Sequence, residues 1–251
     1  MRCGRKAIMW IALALCLICA VLLALALHSR AEHAKPASKD PEGAIAAQED
    51  EDRAVDVPVD FAAWQERNPD VYAWIEYPGT NVDYPIVQSA EDDAYYLRRD
   101  IDGKEAVAGS LYTEHTYNSK TFDDPVTVIY GHNMANRTMF GGLQSHIEAA
   151  DLASTEEYFY VYLPGRILTY RVVGGAPGDD AHILYYNDFS DPTGFSSYFG
   201  NLYAQSGGHV NLPGLLRPSP DDRVVILATC MNGEKYLRYL IIGVLTDDTG
   251  N

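Results

Sequence analysis

One thiol stands apart in this 251-residue chain. Cys3, Cys16 and Cys19 crowd the N-terminus, and Cys230 is alone far downstream. That distribution excludes a disulfide scaffold and leaves Cys230 either an inert buried side chain or a reactive group. A free cysteine has a pKa of about 8.5, so only about 3% is thiolate at pH 7, and a nucleophilic role requires a base or a cation beside it. Seven histidines are available, of which His28 and His33 lie near the N-terminus. Among His115, His132, His146, His182 and His209, His132 stands out because it follows the strand-like run Val126–Tyr130 and the small Gly131. His146 falls in a helical stretch, and His182 and His209 fall in polar loops. Arg238 lies eight positions after Cys230. A guanidinium stays protonated and can stabilise negative charge that develops on a carbonyl oxygen. Each residue also has a plainer reading: a lone histidine is more often structural, and a strand arginine more often meets a surface carboxylate.

The elements that must carry these side chains read as short strands. The apolar run Val224–Ala228 leads into Thr229 and Cys230, which places the thiol at a strand end, rigidly held yet able to face a cleft. The polar turn at 231–234 and the closing strand Tyr236–Leu245 would bring Arg238 back antiparallel to Cys230. Further strands are expected at Tyr72–Glu76, Val82–Val87, Ser110–Thr113, Val126–Tyr130, Tyr158–Leu163 and Ile167–Val173, with turns at Pro78-Gly79 and Pro164-Gly165. Helices are expected from Asp60, a capping residue, through Arg67, over Asn136–His146, and over Phe195–Gln205. About eight strands with few helices and no internal repeat predict a mainly β, closed barrel rather than a βαβ sheet.

Charge and the N-terminus bound the function. Nineteen Lys and Arg face 35 Asp and Glu, a formal net charge of −16. That balance argues against nucleic acid, whose phosphates need a basic surface. Eighteen Tyr against 7 Phe fit a β-rich chain. Residues 7–27 carry no charge and are long enough to cross a bilayer as a helix, with Arg2, Arg5 and Lys6 ahead of them. The run exceeds a signal-peptide core, so a retained single-pass anchor is expected, although Ala24-Leu25-Ala26 resembles a cleavage site. The expected organisation is a cytoplasmic N-terminus (1–6), a transmembrane anchor (7–27), an acidic stalk (28–59) and an extracytoplasmic catalytic domain (60–251), located at the cell membrane.

The ordered motifs together resemble a known family. Val128 to Met134 (VIYGHNM), then Leu227-Ala228-Thr229-Cys230, then Arg238 are similar to the sortases, membrane-anchored cysteine transpeptidases of Gram-positive bacteria. Trp74-Ile75, Pro78-Gly79-Thr80 and Tyr84 to Gln88 (YPIVQ) resemble the class B branch, as does Gly109-Ser110-Leu111 before the His strand. Asp188–Ser206 is similar to that branch's helical insertion before the Cys strand. The resemblance implies an eight-stranded sortase barrel with an N-terminal helix, His132, Cys230 and Arg238 at the catalytic positions, and Tyr130 and Thr229 lining the groove for the sorting signal. It further implies that Cys230 forms a thioester with a C-terminal sorting signal of a surface protein or pilin. An amine of a peptidoglycan precursor or a pilin Lys then resolves it, and no cofactor or metal is implied. Two other readings stay open on the residues alone. One is an L,D-transpeptidase-like cell-wall enzyme, although Leu-Ala-Thr-Cys-Met departs from its Ser-x-Gly-Cys-Arg pattern. The other is a non-catalytic tethered module for adhesion or pilus assembly with an inert thiol.

Overall fold

A helix opens the described structure because Asp60 caps it. The Asp60 carboxylate accepts from the Ala63 amide at 3.0 Å, and helix α1 runs from Phe61 to Arg67. Asn68, extended ahead of Pro69, ends it. The computed structural model describes residues 55–250 apart from 232 and 235. Its strands are β1 (Val71–Tyr77), β2 (Val82–Val87), β3 (Leu111–Tyr112), β4 (Val126–Tyr130), β5 (Tyr158–Leu163), β6 (Arg166–Asp179), β7 (Val224–Cys230) and β8 (Leu237–Asp248). They close into one barrel in the order β1-β2-β3-β4-β7-β8-β6-β5. The helices after α1 are α2 (Leu143–Ala149), α3 (Ile183–Tyr186) and α4 (Pro192–Tyr203).

Strands β4 and β7 are parallel neighbours, paired from Val126↔Val224 to Tyr130↔Ala228. Parallel partners cannot be joined by a hairpin, so a long crossover separates them in sequence. Strand β7 is buried on both faces from Val224 to Thr229, which explains its unbroken apolar sequence. One face points into the barrel, where Leu227 joins Ile129, Phe159 and Ile241. The other face, with Ile226 and Ala228, packs under Phe195 and Phe199 of α4.

The strand expectations hold in place, with five differences in extent, the smallest being one added residue at each end of β1. Strand β3 is reduced to two residues. Strand β6 continues six residues past Val173, through Gly-Gly-Ala-Pro-Gly-Asp, a composition that reads as loop. The glycines permit it: a Cβ at Gly175 would lie 2.5 Å from the Ile147 side chain, and one at Gly178 2.7 Å from that of Leu240. Strands β7 and β8 also run on, to Cys230 and Asp248. The helix expected over Asn136–His146 begins only at Leu143. Arg137 and Met139 take left-handed backbone angles (φ 63° and 54°), which no α-helix accommodates. Helix α3 is an addition to the expected elements.

The single-pass membrane location requires correction. Among the described residues no helix is long and apolar enough to cross a membrane. The span expected at 7–27 lies outside the described residues, as do the segment 1–6 and most of the acidic stretch 28–59.

Candidate active site

The parallel register of β4 and β7 brings two chain ends to the same edge of the barrel. Beyond the Tyr130↔Ala228 pair, the Gly131 amide donates to the Ala228 carbonyl at 3.1 Å. His132 and Cys230 therefore leave adjacent strands side by side. Gly131 is required there: a Cβ would lie 2.4 Å from Leu111 Cδ2 and 2.6 Å from Phe140 Cδ2. On the other side of β7, Cys230 is the cross-strand partner of Arg238. Such partners project from the same face of the sheet with their Cβ atoms about 5 Å apart. Two strand pairings thus place histidine, cysteine and arginine together, although they are spread over more than 100 positions of sequence.

These residues line one cleft of about 240 Å³ with Leu97, Tyr112, Glu114, Tyr130, Asp179, Asp180, His182 and Ile183 among its walls. Cys230 is exposed and carries a free thiol. The His132 ring is anchored through Nε2, 2.7 Å from the Leu97 carbonyl oxygen. A carbonyl only accepts, so Nε2 carries the proton in this arrangement and the lone pair of the neutral ring is on Nδ1. The next residue, Asn133, donates from Nδ2 to the Cys230 carbonyl at 2.8 Å and ties the two segments together. Arg238 is half-buried and donates from Nη1 to the Leu237 carbonyl at 3.3 Å.

The two expected groove residues differ in placement. Tyr130 stacks on Tyr112, with ring centroids 5.4 Å apart, and burial pushes its hydroxyl pKa upward. Thr229 borders the cleft but is only 2% exposed, and strand alternation turns its side chain toward the barrel interior, opposite to Cys230. His182, expected in a polar loop, is in the cleft wall, with Nε2 2.9 Å from Glu114 Oε2. Leu97, Glu114 and Asn133 were not legible as site residues. The first acts through its backbone, Glu114 is an isolated polar residue without a motif, and Asn133, although inside the run 128–134, shows no role until its contact across to Cys230 is seen. Chemically, the arrangement offers an exposed sulfur nucleophile, an imidazole held by one nitrogen and a fixed cation on one concave surface.

Comparison with known proteins bears on the family and the fold. No family model matches the chain. It is 30% identical over 174 residues to sortase B of Listeria monocytogenes, covering 68% of this chain and 67% of that protein. Among solved structures, sortase B from Listeria monocytogenes has a TM-score of 0.59 at 28% identity over 74% of this chain and 99% of its own. A Bacillus anthracis protein similar to sortase B has a TM-score of 0.62 at 26% identity, over 74% and 82% of the two chains. With the relationship to the Listeria protein and the eight-stranded barrel, this chain belongs to the class B sortases, a family of cysteine transpeptidases.

Proposed function

We propose that the cleft cleaves a C-terminal sorting signal and transfers the acyl part to an amine, with Cys230 as nucleophile. The observation that carries this reading is the convergence of Cys230, His132 and Arg238 on one cleft. The Cys230 thiol gives its proton to His132 Nδ1 as its sulfur attacks a backbone carbonyl of the signal, and negative charge collects on the carbonyl oxygen. Arg238 stabilises that charge, since its guanidinium remains protonated and presents planar donors. The C–N bond breaks, and His132 gives its proton to the leaving amine. The product is a thioester on Cys230, which preserves the acyl group until an acceptor arrives. An incoming amine attacks the thioester carbonyl, the C–S bond breaks, and the amine's proton passes through His132 to the departing sulfur.

The donor in this reading is a surface protein or pilin, and the acceptor is a peptidoglycan precursor amine or a pilin Lys. Water in place of the amine gives hydrolysis, the thiol-peptidase side of the same chemistry. The test is mass spectrometry of the protein with a peptide bearing the sorting signal of a surface protein of the same cell. An adduct on Cys230 that disappears on addition of an amine is expected. Acyl transfer by Cys230→Ala would overturn the assignment.

A further inference from the structure

One wall of the cleft is built by the end of β6 and the short helix α3. Ile183 of that helix is 9% exposed and presents the wall's apolar surface beside Ala228. Its conformation depends on His182. The Tyr185 amide donates to His182 Nδ1 at 3.1 Å, so the ring caps the helix. An imidazole nitrogen that accepts cannot also carry a proton. The neutral ring's proton is therefore on Nε2, which is the nitrogen 2.9 Å from Glu114 Oε2. The N–H does not point squarely at that oxygen, so the contact is electrostatic more than a well-aligned hydrogen bond. The ring also packs on Tyr117, centroid to centroid 4.6 Å, and approaches Tyr130 at 6.4 Å.

His182 thus joins three segments: α3, the arm after β3 that carries Glu114 and Tyr117, and the end of β4. We propose that His182, held by Glu114, is the positioning residue of this cleft wall and that protonation of its ring releases the wall. The proposal rests on the reading that the cleft takes a sorting peptide. A second proton can go only to Nδ1, where it would meet the Tyr185 N–H donor to donor and abolish the cap. A Ser, Thr, Asp or Asn cap lacks this weakness, because its oxygen still accepts when a neighbouring histidine titrates.

The surroundings set the balance. Glu114 is 12% exposed, and burial pushes its carboxyl pKa upward, while the His182 charge pulls it down and Asp93 raises it further. Asp179, Asp180, Arg238 and His132 are the other charged or titratable groups of the same cleft. Tyr117, Tyr130 and Tyr185 surround the ring as neutral groups. A proton added to Nδ1 therefore removes the cap and opens the wall.

The test uses the full chain in two measurements. Nitrogen NMR of the histidine rings reads the His182 tautomer without any peptide, and an Nε2–H ring at neutral pH is expected. Steady-state kinetics use one fluorogenic peptide carrying the sorting signal of a surface protein of the same cell. KM should rise about fivefold between roughly pH 7.5 and 5.5, the size of one lost helix cap. His182→Asn keeps an acceptor for Tyr185 and does not titrate, so its KM should change less than about twofold over that interval. His182→Ala should have a raised KM already at neutral pH, with kcat affected less. Glu114→Gln should move the acid rise of KM to lower pH. An Nδ1–H ring at neutral pH, or a KM profile for His182→Ala or His182→Asn that follows the wild type, would overturn the proposal. Absence of a Cys230 thioester with the same peptide would instead reject the proposed function, and the tautomer measurement would still decide the wall's architecture.

Discussion

The two ends of β4 and β7 treat charge in opposite ways. Where these strands begin, Arg166, Arg223, Asp123 and Asp248 form a closed set of ion pairs at 2.7–2.9 Å. Arg166 donates to both Asp248 oxygens, to Asp123 and to the Thr121 carbonyl, four hydrogen bonds from one guanidinium. Where the same strands end, the Arg238 Nη1 bond goes to its neighbour's backbone at 3.3 Å, and the Cys230 thiol is exposed. One end satisfies its charges internally and staples β4, β6, β7 and β8 together. The other leaves a cation and a thiol facing a cleft. The contrast teaches that rigidity and reactivity have been separated along the same strands. The ion-pair end can hold the register that the cleft end needs, because a strand transmits its register along its whole length.

That separation can be broken most severely at the thiol. Cys230→Ala should reduce turnover of a fluorogenic sorting peptide at least ~10⁴-fold, the scale of losing a nucleophile. Calorimetry should place its Tm within about 2 °C of the wild type, because an exposed sulfur contributes little to packing. A large fall in Tm would mean that the two ends are not independent. Arg238→Lys sharpens the same end: it retains the charge and loses the planar fork. A fall in kcat/KM of about 10²-fold is expected, and near-normal kinetics would leave Arg238 as a positive charge alone.

At the other end, Arg166→Ala should act on stability and not on chemistry. It leaves Asp248 and Asp123 with Arg223 alone as their partner, and urea unfolding should register a loss of roughly 2 kcal/mol, less than a fully buried pair would cost. Turnover at 25 °C should stay within about twofold. Loss of activity greater than loss of fold would show coupling between the ends. The smallest effect concerns acid. Hydrogen bonds from Arg166, then from Arg223, hold the Asp248 carboxyl down to about 2 against an opposing contribution from burial. A depressed folded-state pKa gives stability that is present above the unfolded carboxylate value of about 3.9 and lost as pH falls through the folded one. Denaturation followed between roughly pH 5 and 2 should therefore show a decline that Asp248→Asn flattens. An unchanged slope would remove Asp248 from the acid response.

Much of this organisation was legible from local pattern. Val82–Val87, Val126–Tyr130 and Tyr158–Leu163 are strands over the residues expected, since β-branched and aromatic runs bounded by turns leave little choice. The Asp60 cap and the α4 insertion follow from equally local signals. The reading erred where a distant packing partner overrides local propensity. Gly174 to Asp179 lies past the strand end expected at Val173, yet pairs as strand with 237–242, where Ile147 and Leu240 fill the space that side chains at Gly175 and Gly178 would need. Met139 has helical spacing from Leu143, yet takes a left-handed angle and is buried in the barrel's interior cluster.

The sequence by itself determined the strand set, the separation of Cys230 from the other thiols, the candidacy of His132 and Arg238, and the resemblance to the sortases. These depend on residue type and short-range spacing, which a chain displays before it folds. Only the tertiary structure decided which histidines share the cleft with the thiol, that Thr229 turns inward, and that Leu97, Asn133, Glu114 and His182 support the site. Those relations run across a parallel strand pair and a long crossover, between residues as distant as Asn133 and Cys230. No periodicity encodes such a contact, because it is fixed by closure of the barrel and by the register in which β4, β7 and β8 meet.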